Sequence, residues 1–126
     1  MYGRVFVIFA AVFGLIGVAA GAFGAHALSA RLEPRMLEVF ETAVRYQMYH
    51  ALALFGVAWI CQQTRARSAV FSGWAFVIGI VLFSGSLYAM VFTGVRSLGF
   101  ITPIGGVAFI AGWAALLLAA ASAKSR

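Results

Sequence analysis

The sequence predicts an all-α integral membrane bundle of four transmembrane helices, with an amphipathic segment before the second. Three observations predict it. Hydrophobic residues make up 64% of the 126-residue chain, where a soluble domain holds roughly 45–50%. Charged residues make up 10%, where roughly 25% is usual, so a soluble fold could not cover itself. The apolar residues gather into four runs separated by short polar stretches, each run near the length that crosses a bilayer.

The first run covers about residues 4–25. It follows Arg4 and holds no charge until His26. At 1.5 Å per residue, about 21 residues span roughly 30 Å, the hydrocarbon thickness. Ala25-His26-Ala27 imitates the small-residue site of a cleaved leader, but the run is long for a leader core and has one basic flank. A retained helix is the expectation.

The second element covers residues 46–62, with an amphipathic lead-in over 34–45. Pro34 suits a first helical turn, where its missing N–H costs nothing. Met36, Val39, Phe40, Ala43 and Val44 share one face, and Glu38, Glu41 and Arg45 the other. A single helix over both parts would measure roughly 45 Å, so its first turns should lie in the interface or project from it. The third run covers residues 69–93, after a polar loop with Arg65 and Arg67. The fourth covers 102–121, after a loop with Arg96, and Thr102-Pro103 reads as a cap followed by proline at the first position.

Four crossings put both termini on one side, with Arg4, Arg65, Arg67, Lys124 and Arg126. Arg31, Arg35, Arg45 and Arg96 fall on the other. The two arginines in one short loop favour cytoplasmic termini. The net charge of +6 comes from basic residues scattered at the ends of apolar runs, which is not a nucleic-acid footprint. Membrane lipids are the expected contacts.

Small residues form stripes. Ala10, Gly14, Gly17, Gly21 and Gly24 alternate spacings of four and three. Ser72, Ala75, Gly79, Ser86, Ala89 and Thr93 do nearly the same, with Leu82 interrupting. Gly105, Ala108, Gly112, Ala115, Ala119 and Ser122 make a third stripe. Such stripes let membrane helices approach closely. They suit one compact bundle, and any stripe left uncovered suits a homo-oligomer or contact with other membrane proteins.

Few residues could carry chemistry. Glu38, Glu41, Arg45 and Tyr49 share a helical face, and Glu41 and Arg45 are spaced for an i,i+4 ion pair, the contact expected for Arg45. His26 and His50 fall near the same side of the bilayer. Their alternatives are structural hydrogen bonding, with His50 near Tyr46 and Gln47, or a haem, metal, proton or quinone site if the two rings converge. Ser84, Ser86 and Tyr88 place hydroxyls in the third helix, where serine often bonds a neighbouring turn or helix. The lone Cys61 can form no intrachain disulfide. No nucleophile–base pair, phosphate loop or metal motif is present, so no catalytic residue, metal ligand or cofactor is assigned.

Gly21-Ala22-Phe23-Gly24-Ala25-His26-Ala27-Leu28 and Tyr46-Gln47-Met48-Tyr49-His50-Ala51-Leu52-Ala53-Leu54 resemble signatures of the YgdD-like family of small membrane proteins. Ser84-Gly85-Ser86-Leu87-Tyr88, Pro103-Ile104-Gly105-Gly106 and Gly112-Trp113 continue the likeness over nearly the whole chain. The resemblance implies a multi-pass protein of the bacterial inner membrane and brings no catalytic residues. The functional expectation is a non-enzymatic membrane-organising or protein/lipid-interaction protein. The alternatives are a small transport or proton-conducting unit, and a haem- or quinone-binding electron carrier.

Overall fold

The computed structural model describes residues 1–123, and Lys124 and Arg126, which enter the charge balance, lie outside them. The described residues are helical apart from short turns. Helix α1 is Tyr2–Phe23, continued by a π turn at Gly24–Leu28. Helix α2 is Pro34–Gln63. Helix α3 covers Arg67–Thr93 and contains a π turn at Ile80–Ser84. A 3-10 turn at Arg96–Phe100 leads into α4, Thr102–Ser122.

The amphipathic lead-in and the second apolar run form one continuous 30-residue rod with Pro34 in its first turn. Phe40 and Ala43 are buried, while Glu38, Glu41 and Arg45 are exposed. Among the described residues, three stretches are long and apolar enough to cross a membrane: Tyr2–Leu28, Arg67–Thr93 and Arg96–Ser122. Helix α2 is the less apolar one, because Arg45, Gln47 and His50 interrupt it.

The start of α4 differs from expectation. Ile101 holds the cap position and Thr102 is already helical. The Thr102 hydroxyl is drawn instead to Ser86 on α3, at 2.6 Å.

Helices α2 and α3 form a central pair. Helix α1 lies on one flank, mainly against α2, and α4 lies on the other, mainly against α3. The core runs through Phe6 and Ala10 of α1, Leu54, Val57 and Ala58 of α2, Phe76, Val77 and Ile80 of α3, and Phe109 of α4.

The small-residue stripes receive aromatic rings. Phe40 of α2 covers Gly24 of α1, and Phe6 of α1 covers Gly73 of α3. Phe76 of α3 covers Gly112, while Phe109 of α4 covers Gly79, so α3 and α4 exchange rings. A Cβ at any of these glycines would strike the ring. Gly17 lies under the Met48 sulfur and Gly21 faces Val44. Gly14, placed in the same stripe by spacing, meets no atom within 4 Å and so makes no such contact. The closest backbone approach is at Gly105, where an added Cβ would meet the Phe83 backbone nitrogen and stand 2.8 Å from its Cα.

The π turn explains why Leu82 interrupts the stripe on α3. A π turn inserts one residue and rotates the remainder of the helix. Ser72 and Gly79 face α4 before it, and Ser84 reaches α2 within it. The carbonyl of Phe83, in the turn, accepts a hydrogen bond from the Ser86 hydroxyl at 2.9 Å.

Two substitutions separate rigid from yielding contacts. Gly105→Ala pushes on backbone and should cost about 2–3 kcal/mol, the upper range for overpacking. Gly17→Ala pushes on a flexible methionine and should cost less than about 1 kcal/mol. Thermal unfolding in detergent checks the order, and equal losses would contradict it.

Candidate functional site

The polar residues of the membrane segments join the helices in pairs. Gln47 is 2% exposed. Its Nε2 donates to the Phe13 carbonyl of α1 at 2.8 Å, and its Oε1 accepts from the Tyr88 hydroxyl of α3 at 2.7 Å. One side chain of α2 thus holds both neighbours. Ser84 donates to the Ala43 carbonyl at 2.7 Å, a second link between α3 and α2. Ser72 donates to the Gly112 carbonyl at 2.7 Å, linking α3 to α4. The single Ser86 proton goes to Phe83, so Thr102 is the donor in the Ser86–Thr102 bond.

His50 is 4% exposed and faces α4. Its Nδ1 lies 2.7 Å from the Tyr46 carbonyl, which can only accept, so Nδ1 carries the proton. Its Nε2 is then a lone pair, and it accepts the Trp113 indole N–H at 3.0 Å. The ring also stacks on Phe109, with centroids 3.6 Å apart and planes 6° from parallel. Both nitrogens are used.

Several expectations are corrected here. His26 is exposed on the π turn that ends α1, whereas His50 is buried against α4, so the two rings do not converge. The site that needed both histidines is withdrawn, and with it the haem, metal and relay readings. Among the described residues, no group of three His, Cys, Asp or Glu is placed to hold a metal ion. Arg45 does not pair with Glu41. Its Nη2 donates to the Thr42 hydroxyl at 3.3 Å, one turn back. An exposed ion pair stabilises by only about 0–1 kcal/mol, too little to hold the side chain elsewhere. Glu38 is exposed and contributes its backbone carbonyl to Thr42 at 2.9 Å.

A groove of about 680 Å³ runs between α2 and α4, with Phe83 of α3 at its edge. Tyr46, Tyr49 and His50 line one wall, and Pro103, Gly106, Val107, Phe109, Ile110 and Trp113 the other. Tyr49, Val107, Ile110 and Trp113 are exposed along it, so the groove opens on the flank of the bundle. Sequence reasoning reaches Tyr46, Tyr49 and His50. It misses the wall on α4, although Pro103, Gly106 and Trp113 lie inside the family-like motifs. The missing signal is pairing: nothing in the spacing of α4 says that Trp113 meets His50.

Fold and site define an all-helical membrane protein, tied together by buried side-chain hydrogen bonds and grooved on one flank. The chain belongs to the family described as protein of unknown function DUF423, which matches residues 20–106. It is 47% identical over 118 residues to the UPF0382 membrane protein YwdK of Bacillus subtilis, covering 93% of this chain and 96% of that protein. It is 42% identical over 129 residues to the UPF0382 inner membrane protein YgdD of Escherichia coli K12, covering 100% and 96%. A Staphylococcus haemolyticus UPF0382 membrane protein is 44% identical over 115 residues, covering 91% and 93%. No solved structure matches.

A double-mutant cycle of Gln47→Ala and Tyr88→Phe should give a coupling free energy of about 0.6–1.7 kcal/mol, from the average to the maximum found by such cycles for hydrogen bonds between membrane helices. Unfolding in mixed micelles provides the four stabilities. Strict additivity would show that the bond contributes nothing.

Proposed function

We propose that this protein crosses the bacterial inner membrane four times and acts without catalysing a reaction, by holding lipid against its flank. The observation that carries the reading is the aromatic groove between α2 and α4, which opens sideways where the bilayer would lie. Five polar side chains inside the bundle are already committed. His50, Ser72, Ser84, Ser86 and Tyr88 each bond another residue on a different helix. A fourth crossing by α2 is supported by its place between α1 and α3, which shields Gln47 from the hydrocarbon.

Gly106 offers a direct test, because a Cβ there meets nothing within 4 Å and the residue lines the groove. Gly106→Phe should leave the unfolding temperature within a few degrees. It should lower the lipid that remains on the detergent-extracted protein in native mass spectrometry by about threefold or more, since a filled concavity excludes a ligand. An unchanged lipid count in a folded variant would overturn the reading.

Both termini are proposed to face the cytoplasm. Arg65 and Arg67 stand together in one short loop at the terminal end, beside Arg4, the kind of loop that is retained in the cytoplasm, whereas Arg31, Arg35, Arg45 and Arg96 are spread along the opposite end. A reporter that is active only in the cytoplasm should be active when fused after Arg126. Activity of an exclusively external reporter at that position would reverse the orientation.

A further inference from the structure

A second concavity lies nearer the Pro34 end of α2 than the groove does. It measures about 250 Å³ and is lined by Arg35, Glu38, Val39, Thr42, Arg45 and Leu87. On α2, Arg35, Val39 and Thr42 are followed by Tyr46 and Tyr49 at alternating spacings of four and three, so the stripe runs from this pocket into the groove. On α3, Leu87 borders the pocket and Phe83, four residues earlier, borders the groove. The helices are antiparallel, and both place the charged pocket toward the Pro34 end and the aromatic groove deeper in the bundle.

We propose that the two concavities form one phospholipid site, with the lipid phosphate between Arg35 and Arg45 and an acyl chain in the groove. The proposal rests on the lipid-holding function and adds the headgroup that is recognised. Its support is charge and reach. Two guanidinium groups and one carboxylate leave the pocket with one net positive charge, which a single phosphate balances. Guanidinium groups present paired N–H donors that match phosphate oxygens. Arg45 spends one donor, weakly, on Thr42 and has others to give. Along α4 the groove runs from Pro103 to Trp113, about 15 Å of helix, which is half of the roughly 30 Å hydrocarbon thickness and hence one leaflet deep. The pocket thus stands where a headgroup belongs when a chain occupies the groove.

Trp113 reports on the occupant. Replacing Trp59 and Trp74 with phenylalanine leaves it as the sole tryptophan. The protein would be held in a sugar-headed, uncharged detergent and titrated with phosphatidylethanolamine carrying brominated acyl chains, which quench indole fluorescence. Diacylglycerol with the same chains is the comparison, since it lacks the phosphate. The phospholipid should reach half-maximal quenching at about fivefold lower mole fraction, the gain expected from charge-assisted bonds. The double variant R35Q/R45Q should erase that preference and leave quenching by diacylglycerol unchanged. Equal half-points for the two lipids, or a preference that survives in R35Q/R45Q, would overturn the headgroup site while leaving the groove occupied. Absence of quenching by either lipid would instead remove the groove as a lipid site, and both readings would fall.

Discussion

The arrangement of the helices depends on finding partners for Gln47. A buried amide in a medium without water must bond within the protein, and each unmet group costs several kcal/mol. Gln47 has a donor and an acceptor to place, and it places them on two different helices, Phe13 of α1 and Tyr88 of α3. That requirement puts α2 between α1 and α3. His50, one turn on and turned toward the other flank, needs a donor for Nε2 and obtains it from Trp113 of α4. The least apolar helix is therefore the one whose polar side chains reach three other helices, while Tyr49, Leu52 and Trp59 leave part of its surface open to the surroundings.

Hydrogen bonds of this kind orient the helices, but the contacts that close the bundle are apolar. Phenylalanine over glycine recurs at four places, and two of them are reciprocal between α3 and α4. The motif replaces a broad seam by separate sockets, each fixing height and rotation at once. It also accounts for the π turn in α3. Gly79 must lie under Phe109 while Ser84, five residues on, must reach Ala43 of α2. A regular helix turns 100° per residue and carries a side chain five residues on to about 140° around the axis. The inserted residue alters that angle at the point where α3 changes partners, and the Ser86 hydroxyl supplies a bond to the Phe83 carbonyl within the irregular stretch.

How much of this was legible in the sequence depends on which signals are local. Helix class and the apolar stretches of α1, α3 and α4 are local properties of composition and length, and they could be read directly. The glycines of α1 were found because their spacing is periodic, but Gly14 shows the weakness of that inference: periodicity names a face and not what stands opposite it. The Arg45–Glu41 pair failed because i,i+4 spacing permits an exposed ion pair without supplying enough energy to hold it against Thr42. The π turn left only a broken stripe at Leu82. The His50–Trp113 and Gln47–Tyr88 bonds join residues 63 and 41 apart, and no local pattern encodes which long-range partner is chosen.

Gly105 and Gly106 show the packing and the groove meeting in two adjacent residues. Gly105 lies against the Phe83 backbone, where a Cβ cannot fit. Gly106, one residue on and 100° around the helix, has nothing within 4 Å. Glycine inside a helix is less stable than alanine by about 1 kcal/mol. At Gly105 that loss is offset by a contact that only glycine permits. At Gly106 no contact offsets it, and an alanine would fit the space. What the missing side chain leaves is room on the α4 wall, beside Tyr46 and Tyr49, where the groove is bounded by Pro103 and Val107. The concavity is therefore not a gap between badly fitted helices, because the residue beside it is among the most closely packed in the bundle. It is a space kept open next to a rigid contact, which lets it hold its shape.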